Sequence, residues 1–117
     1  MKEVKRGIKR LARYAEESEK NIEAYLVREV KATGGLCLKF PSHTETGYPD
    51  RLLLLPGGKT AWVEVKSKGQ KPRRIQEVRM RTLSSLGFKV YVVDSREKVD
   101  EILNGLAMAQ PSPTNNG

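Results

Sequence analysis

Apolar residues recur along this chain at two spacings, and the switches between them mark its elements. Val4, Ile8, Leu11 and Ala15 lie three or four apart, while Lys2, Lys5, Arg6, Lys9, Arg10 and Arg13 occupy the remaining faces, which predicts a basic amphipathic helix over 1–17. Ser18 is suited to cap a second helix whose stripe is Ile22, Leu26 and Val30, and Gly34-Gly35 stops it. Leu36 to Phe40 is a short β-prone run, followed by turn-forming residues from Pro41 to Pro49. Arg51 to Leu55 and Thr60 to Lys66 read as strands joined through Pro56-Gly57-Gly58-Lys59, the pattern of a hairpin. Helical spacing returns in Ile75, Val78, Leu83 and Leu86 with Gly87 as the stop; Phe88 to Val93 is a further strand, and Val99, Ile102, Leu103 and Leu106 mark a last helix. The expected architecture is α/β: a small mixed β-sheet flanked by helices, in which an αβββαβ core follows the basic helix. The expected organisation is a helix over 1–17, one domain over 18–106, and a disordered tail over 107–117, where apolar groups are few.

Composition narrows the chemistry. The 117 residues carry 22 Lys+Arg against 14 Asp+Glu, a formal charge of +8, which suits a polyanionic partner. One cysteine, Cys37, and one histidine, His43, exclude an internal disulfide scaffold and a Cys/His zinc site. No run approaches the roughly 18 apolar residues of a membrane span, and charge enters every turn of the N-terminus, unlike a signal peptide, so a cytoplasmic protein without a membrane partner is expected.

The chemistry-bearing segment is Gly47-Tyr48-Pro49-Asp50 followed by Trp62-Val63-Glu64-Val65-Lys66. Side chains alternate along a strand, so Thr60, Trp62, Glu64 and Lys66 share one face while Ala61, Val63 and Val65 share the other. Burying the valines against a helix turns Glu64 and Lys66 towards solvent or a cleft, and hairpin pairing brings Asp50 near Glu64. Two adjacent carboxylates repel unless a cation lies between them, and Mg²⁺ takes one or two carboxylates with water and phosphate oxygens. Taken alone, the trio also reads as a solvated ion pair beside a turn aspartate.

The surrounding residues favour the chemistry. Pro49-Asp50 and Glu64-Val65-Lys66 resemble the PD-(D/E)XK nuclease signature. Gly-x-Pro-Asp-Arg, the Trp-Val-Glu-Val-Lys strand, Lys71-Pro72 and Gln76 at the opening of a helix resemble its VRR-NUC branch, over roughly Ser18 to Val93. The resemblance implies a restriction-endonuclease-like fold and DNA hydrolysis with Mg²⁺ or Mn²⁺. It implies that Asp50, Glu64 and the carbonyl of Val65 hold the metal, that Lys66 serves the attacking water, and that Gln76 hydrogen-bonds within the site. It also implies a glutamate from the first core helix, for which Glu19 and Glu23, four residues apart on one face, both fit. Minimal members resemble phage proteins that act as homodimers on branched DNA, which makes Holliday junctions the leading expected substrate.

Lys66, Lys68, Lys71, Arg73, Arg74, Arg79 and Arg81 crowd the segment after the proposed metal strand, where a DNA backbone would pass, and imply binding by charge and shape. The basic N-terminal helix is open to a DNA, subunit or intramolecular role. His43 and Tyr48 are lesser candidates for backbone contacts, Trp62 for stacking or packing at the cleft edge, and Cys37 for filling the core. Two other readings remain: a non-catalytic DNA-binding module, and a nuclease acting on flaps or single-strand ends. A binding module gains nothing from two acids facing a polyanion.

Overall fold

The computed structural model describes residues 18–40 and 46–109. The expected helix over 1–17, His43 and the tail from 110 onward lie outside the described residues. The elements run α1 (Glu19–Ala32), β1 (Leu36–Lys39), β2 (Arg51–Leu55), β3 (Lys59–Val65), α2 (Arg74–Ser85), β4 (Val90–Val93) and α3 (Arg96–Met108). This is the expected α/β order, with the last helix running to Met108.

Each boundary has a local cause. The Ser18 hydroxyl accepts from the Asn21 amide, satisfying one of the free N–H groups at the start of α1. Beyond the far end of α1, Gly34 has a φ of 87°, a conformation that costs glycine little. Ser95 caps α3 in the same way through the Lys98 amide.

The sheet order is β1-β2-β3-β4. The first three strands are antiparallel neighbours, whereas β4 returns parallel to β3 after the α2 crossover, so the sheet is mixed as expected. One face carries the core: Leu53, Ala61, Val63, Val65 and Val93 meet Ile22, Leu26 and Val30 of α1 and Val99 and Leu106 of α3. Helix α2 contributes nothing to that cluster and packs on the opposite face, where the Gln76 side chain reaches Glu64. Both faces of β3 are therefore covered near its C-terminal end.

Leu26 is fully buried at the centre of this core. Leu26→Ala is expected to cost about 3 kcal/mol and lower the melting temperature by roughly 10 °C or more, read by a calorimetric or circular-dichroism melt.

Candidate active site

Registry brings the two carboxylates together. Arg51 lies opposite Val63, and one further step along the antiparallel pair sets Asp50 opposite Glu64. The contact is reciprocal: the Asp50 amide donates to Glu64 Oε1 at 3.2 Å, and the Val65 amide donates to Asp50 Oδ2 at 3.1 Å. Within a strand, a residue's N–H and C=O point to the same side, so the Val65 carbonyl also opens towards Asp50.

Glu64 is only 1% exposed. Its carboxylate accepts from Gln76 Nε2 and stands 3.3 Å from Lys66 Nζ. The Gln76 amide is oriented by its other end, since Oε1 accepts the Arg73 amide at 2.8 Å at the start of α2. Nε2 is left to face Glu64. Burial pushes the Glu64 carboxyl up to about 7, the charge of Asp50 adds to the shift, and Lys66 opposes it. Of the two expected openings of the charged face of β3, to solvent or to a cleft, the first does not hold at Glu64, because α2 and Gln76 cover it. The Lys66 side chain remains partly accessible at the rim.

The segment bearing Asp50 is pinned to α2. Gly47 has a φ of 89°, and a Cβ built on it would lie 2.7 Å from Ile75 Cγ1 and 3.0 Å from the Ile75 carbonyl oxygen. Arg79 donates from Nε to the Thr46 carbonyl at 3.1 Å and lays its guanidinium 5.1 Å from the centre of the Tyr48 ring. Tyr48 meets Phe40 edge-on at 5.6 Å, and Phe40 meets Trp62 at 5.1 Å. Trp62 and Tyr48 are thus packing residues beside the carboxylates, and Arg79 holds the loop instead of standing free with the exposed Lys68, Lys71, Arg73, Arg74 and Arg81. Cys37 packs against the core, and burial raises its thiol.

The structure unites Asp50, Glu64, Val65, Lys66 and Gln76, but it brings neither helix glutamate to them. Glu23 Oε2 accepts from Arg51 Nε at 2.9 Å, and Arg51 Nη1 donates to the Cys37 carbonyl. Alternation along β2 turns Arg51 to the α1 face and Asp50 to the α2 face, so Glu23 meets the strand from the other side. Glu19 is exposed in the first turn of α1. Among the described residues, no cluster of three or more His, Cys, Asp or Glu side chains forms a metal cage. Sequence reasoning missed the Glu23–Arg51 pair and the roles of Gly47 and Arg79. Only the facing of Arg51 had a signal, namely its alternation with Asp50.

The fold and these residues define a PD-(D/E)XK-type domain of the restriction-endonuclease-like class. A solved structure described as a VRR_NUC domain superimposes with a TM-score of 0.69 at 31% identity, covering 74% of this chain and 94% of that one. A protein of Acyrthosiphon pisum secondary endosymbiont phage 1 named "Putative nuclease p44" is 44% identical over 79 residues, 68% of this chain and 85% of its own length. No protein-family model matches the chain. The chain belongs to the VRR-NUC nuclease family.

Proposed function

We propose that this protein is a metal-dependent endonuclease that hydrolyses DNA phosphodiester bonds, and that as a homodimer it cuts branched DNA such as Holliday junctions. One observation carries the reading: two carboxylates are locked side by side, one of them buried and pushed towards neutrality, with a lysine at its edge. A fold that only bound DNA would have no use for the strain of holding these acids together.

The donor set fits a hard divalent cation, because Mg²⁺ and Mn²⁺ favour carboxylate and carbonyl oxygens and Mg²⁺ keeps several waters. Asp50, Glu64 and the Val65 carbonyl would hold it, without Glu19 or Glu23, which the fold keeps away from that set. When bound, the cation supplies Lewis acidity to a phosphoryl oxygen and makes a water more acidic. The chain's own residues do the rest. Lys66 orients the attacking water and offsets charge building on the phosphate. Gln76 fixes the rotamer of Glu64, while the Val65 amide fixes that of Asp50. Lys68, Lys71, Arg73 and Arg74, exposed around the start of α2, take backbone phosphates.

Each domain carries one such site, so symmetric cutting of two strands calls for two copies whose two-fold axis sets the spacing of the cuts. The phage relative fits action in the cytoplasm of a host cell. Among the described residues, no helix is long and apolar enough to cross a membrane.

The test is cleavage of a labelled four-way junction beside duplex, flap and single-strand controls, with Mg²⁺, with Mn²⁺ and with EDTA. Paired cuts near the branch are expected with either metal and none with EDTA. Asp50→Asn and Lys66→Ala are expected to slow cutting by about 10²- to 10³-fold, while Asp50→Asn holds or raises affinity as a negative charge leaves the site. Tight binding to every DNA with no cut under either metal would overturn the assignment.

A further inference from the structure

A second cationic surface lies on the face of the domain away from α2. A groove of about 480 Å³ runs along the outer side of α1, lined by Lys20, Glu23, Arg28, Lys31 and Arg51 among others. Its only carboxylate among the lining residues, Glu23, is already neutralised by Arg51 at 2.9 Å. Lys20, Arg28 and Lys31 remain as exposed positive charges along one flank.

One of these cations is held in place. Arg28 and Arg96 both stand over the Tyr25 ring, at 5.4 and 5.3 Å from its centre, and the Tyr25 hydroxyl donates to Asp100 at 2.7 Å. Asp100 is thus drawn to the Tyr25 hydroxyl, and neither it nor Glu29 lines the groove. Cations ordered before binding lose less side-chain entropy when they meet a ligand. From Lys20 to Lys31 the helix rises about 16 Å, a length over which one strand of a duplex presents roughly five phosphates.

The position of the groove gives it meaning. Arg51 closes it from β2, and the next residue back in the chain is Asp50, whose side chain points to the opposite face of the sheet. The α1 groove and the basic residues around the start of α2 therefore approach the carboxylate pair from opposite sides. A single straight duplex cannot follow both. DNA whose arms diverge at the point of cutting can.

We infer that the α1 groove is a second phosphate-backbone track, which takes a duplex arm separate from the arm held at the start of α2 and so selects branched over linear DNA. This inference rests on the reading of the protein as a nuclease of branched DNA and names the surface that makes the selection.

The experiment uses the full chain and fluorescence anisotropy in EDTA, where no cutting occurs, with a four-way junction and a linear duplex of equal length across a range of salt. The triple variant Lys20→Gln, Arg28→Gln, Lys31→Gln is expected to bind the junction about 10- to 100-fold more weakly and to reduce its log-log salt slope by about 2 to 3. Duplex affinity is expected to change less than about 2-fold on the same scale. Lys71→Gln with Arg73→Gln and Arg74→Gln should weaken both DNAs. The charge-conserving triple Lys20→Arg, Arg28→Lys, Lys31→Arg should restore junction binding, and a melt of each variant reports folding. Unchanged junction affinity, or equal losses on both DNAs, would overturn the inference. Wild-type cutting combined with no effect of the α1 triple sinks only this inference. Absence of any wild-type cutting alongside α1-dependent junction binding sinks only the catalytic reading.

Discussion

Glu64→Gln is expected to abolish cleavage, by about 10³-fold, and at the same time to flatten the pH dependence of stability in metal-free buffer. The carboxyl is 1% exposed, lies against Asp50, and is pushed from 4.5 in the unfolded chain up to about 7 in the fold. A folded-state value above the unfolded one means that the fold favours the protonated acid. That contribution is complete below pH 4.5 and is lost as pH rises through about 7. Across this window the wild type should lose about 3 kcal/mol relative to the Gln variant, a fall of roughly 10 °C or more in the difference between their melting temperatures. Comparing the two proteins removes the contribution of the titrating groups that do not interact with Glu64, leaving its coupled set with Asp50 and Lys66. At pH 8 a divalent cation that binds the folded state should return much of the lost stability to the wild type and little to the variant. Melts in EDTA and in Mg²⁺ from pH 5 to 8 read all of this. Parallel curves for the two proteins in EDTA would mean that Glu64 carries no charge penalty and that its buried position is not tuned to a cation.

This prediction turns on something the chain did not disclose at the level of pattern. Periodicity located the helices because Ile22, Leu26 and Val30, and likewise Val99 and Leu106, are buried for the reason their spacing implies. Strand alternation also put Asp50 and Glu64 within reach of one another, since antiparallel registry leaves few ways to pair residues 51–55 with 59–63. Alternation says which face a side chain takes but not what covers that face. The exposure of Glu64 is decided by α2, a crossover helix whose Gln76 is buried in an otherwise exposed first turn. The same gap hid the role of Arg79, which looks like one more cation in a basic run until the fold sets Thr46 and Tyr48 against it. It also left Glu19 and Glu23 indistinguishable. Their shared helical face is legible, but the choice of Glu23 by Arg51 depends on the docking of α1 on β2, a long-range contact. Local chemistry was legible where neighbours in sequence are neighbours in space, and it failed where a third element closes over the pair.

Gly47 is the sharpest case of that failure, and Gly47→Ala should have an effect out of proportion to one methyl group. In the sequence it opens the Gly-x-Pro-Asp-Arg motif, with no role of its own assigned to it. In the fold it adopts a φ of 89° and passes so close to α2 that a Cβ would meet the Ile75 side chain at 2.7 Å, the Ile75 carbonyl at 3.0 Å and Arg79 Cγ at 3.1 Å. The side chains of Ile75 and Arg79 can shift, but the carbonyl belongs to the first turn of α2 and can shift only with the helix. An L-residue in the left-handed region adds roughly 1–2 kcal/mol of strain, so about 3 kcal/mol of destabilisation is expected in total. The loop has another way to relieve the clash, which is to lift away from α2 and take Asp50 with it. Asp50 is three residues on and reaches Glu64 and the Val65 amide through bonds of 3.2 and 3.1 Å, with little slack. A displacement of about 1 Å at a catalytic carboxylate costs on the order of 10²-fold in rate. Gly47→Ala is therefore expected to cut slowly even at temperatures where its melt shows it fully folded, with DNA affinity within about 2-fold of wild type because no phosphate contact is touched. Loss of stability with full activity in the surviving fold would show that Gly47 serves packing alone, and that Asp50 is positioned by Glu64 and Val65 without help from the loop.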